Sequence, residues 1–134
     1  MSTSFAVVAK AAGSDEGPEN TCEAIEHALS APVPPWARLV IEIDVRLSAD
    51  GRLVALHDAD LARTTSGSGL VRQRPLSYLR TLVAGPRGER VPLLEEVLEA
   101  APNHELVIEA QDRGSEVADA LVRCLRRSSA ATRE

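Results

Sequence analysis

Lysine is almost absent from this sequence. Lys10 is the only one among 15 basic residues, the other 14 being arginine, a bias that reads as coding preference rather than function. Basic residues form no block, and 20 acidic residues outnumber them to give a net charge of −5. A broad nucleic-acid-binding face needs the opposite balance and is excluded. Aromatics make up 2% of the chain, so there is no stacking platform for bases. Cysteine is scarce: Cys22 and Cys124 have no metal-ligand spacing and read as two reduced thiols of a cytoplasmic protein. Long apolar runs are missing, and Met1 to Ala9 lacks a positive flank. Neither a signal peptide nor a membrane span is expected. The chain has 134 residues, too few for a complete (β/α)8 barrel of about 250. One domain over residues 1–126 with a polar tail over 127–134 is the economical division.

What is present alternates between strand and helix signals. Phe5 to Ala9 is a continuous apolar run, the pattern of a strand buried on both faces, with a loop from Gly13 to Gly17. Asn20-Thr21-Cys22-Glu23 reads as a capping box opening a helix whose apolar face is Cys22, Ile25, Ala28 and Leu29. Three prolines between Ala31 and Trp36 end it. Leu39 to Val45 is the clearest strand. Asp50-Gly51 then marks a tight hairpin leading to the short run Leu53 to Leu56. Pro75 suits a helix start ahead of Leu76, Leu79, Leu82 and Val83. A further helix is expected to open at Val91 and stop at Pro102. Leu106 to Ala110 is a third strand, and Ser115 caps a last helix reaching about Arg126. Three parallel strands with helical crossovers and one hairpin-like excursion predict an α/β fold with a parallel sheet.

Chemistry is expected at Glu42 and Asp44. Residues two apart in a strand share a face, so two carboxylates project together from a strand otherwise made of Ile and Val. Adjacent anions repel unless a cation lies between them, and hard oxygen donors suit Mg or Ca. A solvated acidic face on an edge strand is the alternative. Glu109 ends the third strand in the same way, so three carboxylates can converge at the C-terminal rim where α/β folds hold ligands. His57-Asp58 follows the hairpin and can fold back over that rim. His57 is then a candidate general acid or base.

In this order and at these spacings, several motifs resemble the glycerophosphodiester phosphodiesterases, from about Val7 to Gln111. They are Pro18-Glu19-Asn20-Thr21, Glu42-Ile43-Asp44-Val45, and Asp50-Gly51 to His57-Asp58. Arg63-Thr64-Thr65 with Gly69, Val91-Pro92 and Leu94 to Leu98 complete the set. The resemblance implies a (β/α)8 TIM barrel, here its N-terminal half only. It implies a divalent metal, Mg or Ca, held by Glu42, Asp44 and Glu109, with His57 as one acid/base. It also implies a small glycerophosphodiester-like substrate split to glycerol 3-phosphate and an alcohol, in lipid metabolism.

The departures matter equally. The family's first strand ends in His-Arg-Gly, five residues before Pro-Glu-Asn-Thr; here those places hold Lys10-Ala11-Ala12. An alternative alignment with Ala11-Ala12-Gly13 keeps the glycine and loses both active residues. The family's lysine two places after the third-strand Glu is Gln111 here, so Gln111 is a substrate-binding position without its charge. Lys10 is a doubtful replacement for the histidine as base or phosphate binder. Loss of an acid/base alone costs about 10²–10⁴-fold, so hydrolysis is expected to be impaired or absent while the metal site persists. A non-catalytic interaction module using an open sheet edge is the alternative, and a homodimer or complex covering such edges is expected.

Overall fold

The computed structural model describes residues 5–13 and 17–132, with side chains through Ser128. Within them the order is β1 (Phe5–Ala9), α1 (Cys22–Ser30), β2 (Ala37–Leu47), β3 (Leu53–Ala55), α2 (Leu76–Leu79), α3 (Leu94–Ala100), β4 (Glu105–Ala110) and α4 (Ser115–Thr132). The long strand β2 is the hub. β1 and β4 pair with it in parallel, and β3 returns antiparallel against its last residues. These are the three parallel strands and the hairpin excursion that the apolar runs predict. No described helix is long and apolar enough to cross a membrane.

The alternation along β2 decides what sits where. Ile41, Ile43 and Val45 enter the main core beneath α1, α3 and α4, together with Ile25, Leu94, Val97, Val117 and Cys124. A strand's side chains alternate, so Glu42 and Asp44 take the other face. Leu106 and Ile108 of β4 join the same helix-side core, which leaves Glu109 on the carboxylate face. A second core of Val54, Leu56, Leu61, Val71, Leu79, Leu82 and Val91 fills the long excursion after β3.

Several local expectations are corrected. β1 is not buried on both faces: Phe5 is 57% and Val8 54% exposed. Its only strand neighbour among the described residues is β2, and an apolar sequence cannot bury an edge by itself. Thr21, not Asn20, caps α1, its hydroxyl accepting from Ala24 N–H at 3.2 Å. Asn20 instead has φ of 59° and turns inward. The hairpin is a three-residue loop, closed by Ser48 N–H donating to Arg52 O, with Gly51 at φ of 78°. α2 stops at Leu79, leaving Val83 exposed. α3 begins at Leu94 rather than Val91, because Leu93 bridges Val54 in extended form. α4 continues six residues past Arg126, through most of the stretch read as a polar tail. The loop from Gly13 to Gly17 is described only at its two ends, residues 14–16 and the tail's last two lying outside the described residues.

Candidate metal centre

Register brings the acidic residues together. Asp44 pairs directly with Glu109 across the β2–β4 ladder, and Glu42 lies two residues earlier on the same face. One ligand oxygen from each of the three lies within 4.8 Å of the others. Oxygens around a single Mg or Ca ion at about 2.0–2.6 Å from the metal span the same range. Glu42 and Asp44 are only 6% and 4% exposed, which excludes the solvated acidic edge, while Glu109 is open to solvent.

Each carboxylate is held in its own way. Glu42 Oε2 accepts from Ala11 N–H at 2.7 Å, and its Oε1 is buried with no partner. An unsatisfied buried carboxylate oxygen is costly, and a bound cation or a proton would relieve it. Burial pushes the Glu42 carboxyl above its usual range; the Ala11 N–H opposes this, and neighbouring Asp44 and Glu109 add to it. The backbone that delivers the Ala11 N–H is unusual. Ala11 and Ala12 both have positive φ, 49° and 62°, in the turn after β1. The left-handed region costs an alanine about 1–2 kcal/mol, strain that concentrates at functional sites. Asn20 N–H donates to Ala11 O at 2.8 Å and ties this turn to the start of α1.

Asp44 is gripped by two amides. Asn20 Nδ2 donates to Oδ2 at 3.1 Å, and Asp44 N–H donates to Asn20 Oδ1 at 3.1 Å. Gln111 Nε2 donates to Oδ1 at 3.0 Å. Above the carboxylates, Lys10, Ala11, Glu19, Asp44, His57, Arg63 and Glu109 line a cavity of about 280 Å³. His57 therefore does reach the rim, and so does Lys10, both exposed. His57 Nδ1 lies 2.9 Å from Asp58 Oδ1. Arg63 grips both Asp58 oxygens at 2.7 and 2.9 Å and reaches Glu19 at 2.6 Å. Those bonds from Arg63, with His57, hold the Asp58 carboxyl far below its usual range. An ionised Asp58 can only accept, so Nδ1 is the donor in this contact and Nε2 is the nitrogen left for proton transfer.

Of the six residues expected from the sequence, Glu42, Asp44 and Glu109 stand together, Gln111 donates to Asp44, and Lys10 and His57 line the adjoining cavity. The sequence misses the supports. Asn20 reads as a helix cap, and Glu19, Asp58 and Arg63 read as motif letters without a task. A polar Asn just ahead of a capping Thr is the only local hint of a residue turned inward.

A parallel α/β sheet that carries carboxylates on one face of two neighbouring strands, toward their C-terminal halves, is the half-barrel arrangement of a TIM-barrel fold, and its three carboxylates could hold a divalent metal. Residues 12–123 match the profile of the glycerophosphoryl diester phosphodiesterase family, metal-dependent TIM-barrel proteins, and the chain belongs to that family. A glycerophosphodiester phosphodiesterase of Caldanaerobacter subterraneus is 35% identical over 108 residues, 76% of this chain and 42% of that protein. The glycerophosphoryl diester phosphodiesterase domain of a Mycobacterium tuberculosis protein superposes with a TM-score of 0.81 at 29% identity, over 98% of this chain and 51% of that one. An Oleispira antarctica phosphodiesterase, solved with the product sn-glycerol-3-phosphate, gives 0.78 at 30% identity, over 92% and 52%. The chain thus spans about half the length of these relatives and corresponds to their N-terminal part.

Proposed function

We propose that this chain is a glycerophosphodiester phosphodiesterase-like domain that keeps a working divalent-metal centre, for Mg or Ca, and has lost most or all turnover. The observation that carries it is the buried Glu42 Oε1, without a partner, beside Asp44 and Glu109. The residues fit the ion, and when bound it would neutralise phosphate charge and lower the pKa of an attacking hydroxyl or water. Glu42, Asp44 and Glu109 supply the donors. Ala11 N–H and the two amides hold Glu42 and Asp44 in place. His57 Nε2 is the group that would take or give a proton at the cavity.

What is missing supports the loss of turnover. The turn after β1 carries Lys10, Ala11 and Ala12 where the family has a histidine and an arginine, and Gln111 replaces a lysine. Two phosphate-directed cations and one base are gone, and each aimed charge or proton-transfer group is worth orders of magnitude in rate. The test is hydrolysis of glycerophosphocholine with millimolar Ca or Mg. Rates at buffer background are expected, together with a melting temperature raised by the metal and not by NaCl. Robust metal-dependent turnover abolished by His57→Ala would overturn the impaired reading.

The proposal extends to assembly. β1 and β4 each have one edge on which no described strand pairs, and Phe5, Val7, Val8 and Val107 on these strands are exposed, as is Trp36 against Phe5. Exposed apolar strand edges invite pairing, so a second copy or another chain covers them. The same edges favour an interaction module as the second reading.

A further inference from the structure

Several arginines of the fold close on acids: Arg38 on Glu105, Arg46 on Asp112, Arg63 on Glu19 and Asp58, Arg80 on Glu96. One place departs from this. A cleft of about 360 Å³ between the β2–β3 hairpin, α3 and α4 is lined by Arg52, Arg123 and Arg127, with Glu95 as the only carboxylate among its described lining residues. It shares no residue with the cavity above the carboxylates. Ala120, Arg123, Cys124 and Arg127 follow at helical spacing on α4 and share one face. Ala120 and Cys124 are buried in the main core, so the two guanidiniums stand at the edge of that core and not on the far side of the helix. Glu95 is engaged within the wall: one oxygen accepts from Arg52 at 3.2 Å and the other from the Cys124 thiol at 3.2 Å. Burial, then Glu95, pushes that thiol up to about 11, so it adds no negative charge near neutral pH. Among the described residues no carboxylate pairs with Arg123 or Arg127. At the mouth, Gly51 has φ of 78° and nothing within 4 Å of the place a Cβ would take, so the hairpin leaves the cleft open.

Three guanidiniums around one carboxylate leave two positive charges uncompensated in a concave surface, on a chain whose net charge is −5. Guanidinium forks match phosphate oxygens bidentately, and two arginines one helical turn apart can bracket a single phosphate. A phosphate group with one ester or none carries about −1.5 to −2 at pH 7, the charge that balances this cleft. The volume falls at the small end of small-molecule sites, about 300–1,000 Å³. We propose that this cleft is a metal-independent binding site for a phosphate dianion, with Arg123 and Arg127 as its principal donors and Arg52, held by Glu95, completing the rim. The inference stands apart from the metal reading, since α4 covers the face of the sheet opposite Glu42 and Asp44.

Calorimetric titration of sodium phosphate and of ribose 5-phosphate into the full chain tests it, at pH 8 in metal-free buffer of constant ionic strength. The expected result is saturable binding, weakened about tenfold by Arg123→Gln and by Arg127→Gln, since each removes a hydrogen bond between charged groups. Arg126→Gln removes the same charge from an exposed position of α4 outside the cleft and should change affinity less than twofold. Glu42→Gln, which alters the metal centre, should do the same. Tighter binding of ribose 5-phosphate than of phosphate makes an organic phosphomonoester the ligand; equal binding makes it the phosphate group alone, and both support the site. No saturable heat from either compound overturns the proposal. So does a loss in Arg126→Gln as large as in Arg123→Gln, which would mean diffuse charge attraction, and so does a loss in Glu42→Gln, which would put the phosphate at the carboxylate rim. NMR of the unaltered chain decides without any variant: phosphate should shift the amides of Arg52, Arg123 and Arg127 and leave Ala11 and Asp44 unmoved, and the reverse pattern overturns the assignment.

Discussion

Replacing Asn20 probes the support of the centre rather than its ligands. Asn20 is 1% exposed, has φ of 59°, and makes a two-way exchange with Asp44. In Asn20→Ala the buried Asp44 N–H loses its acceptor and the Asp44 carboxylate loses a donor. Leaving a buried polar group unpaired costs about 1–3 kcal/mol, and more when it is charged. Alanine in a left-handed conformation that asparagine tolerates adds about 1 kcal/mol. The sum is about 3 kcal/mol. Asn20→Gly loses the same hydrogen bonds without the backbone strain, so it should be about 1 kcal/mol milder. Asn20→Asp keeps an acceptor for Asp44 N–H and sets a carboxylate against Asp44 Oδ2, so it should be destabilising near neutral pH and partly rescued by Ca. Equilibrium unfolding in urea, by far-ultraviolet circular dichroism, orders the four proteins. An Asn20→Ala loss under 1 kcal/mol, or a glycine variant less stable than the alanine one, would refute the reasoning.

Three further outcomes follow from the same contacts. Arg63, then His57, holds the Asp58 carboxyl low, so the stabilisation is present above the unfolded value of about 3.9 and is lost as pH falls through the folded value. Arg63→Met should therefore cost about 1 kcal/mol at pH 7, modest because Arg63 is largely exposed, and the difference from the unaltered chain should vanish in acid denaturation. Burial and then Glu96 push the Cys22 thiol up to about 11, and burial and then Glu95 do the same for Cys124. Alkylation by iodoacetamide at pH 8 should be at least tenfold slower than for free cysteine and recover in urea, as mass spectrometry would show. Light scattering over a hundredfold concentration range should show association; a monomer throughout, binding no apolar dye, would contradict the covered-edge proposal.

The elements that carry the three carboxylates were the legible ones. β2 and β4 are apolar runs bounded by turn residues, and an Ile-Glu-Ile-Asp alternation leaves one register that buries the isoleucines. The carboxylate face follows from that period. The hairpin and the parallel crossovers were equally readable, because proline, glycine and periodicity act locally. The supports were not. The left-handed Ala11 and Ala12 carry no glycine to announce them, and their conformation is set by Glu42 and Asn20 across the fold. Asn20 satisfies a local capping rule in the sequence and a long-range bond in the structure, and the long-range bond wins because Asp44 is buried. β1 reads as a fully buried strand because composition records what a strand can bury, not what covers it.

Manganese titration followed by NMR tests the central claim most directly, because Mn substitutes for Mg at oxygen sites and broadens only the amides near it. The account predicts selective broadening at Ala11, Asn20, Glu42, Asp44, His57, Glu109 and Gln111, reversed by excess Mg and absent in Glu42→Gln. Broadening spread over the exposed acidic residues of α1 and α4, with those amides unaffected, would contradict it.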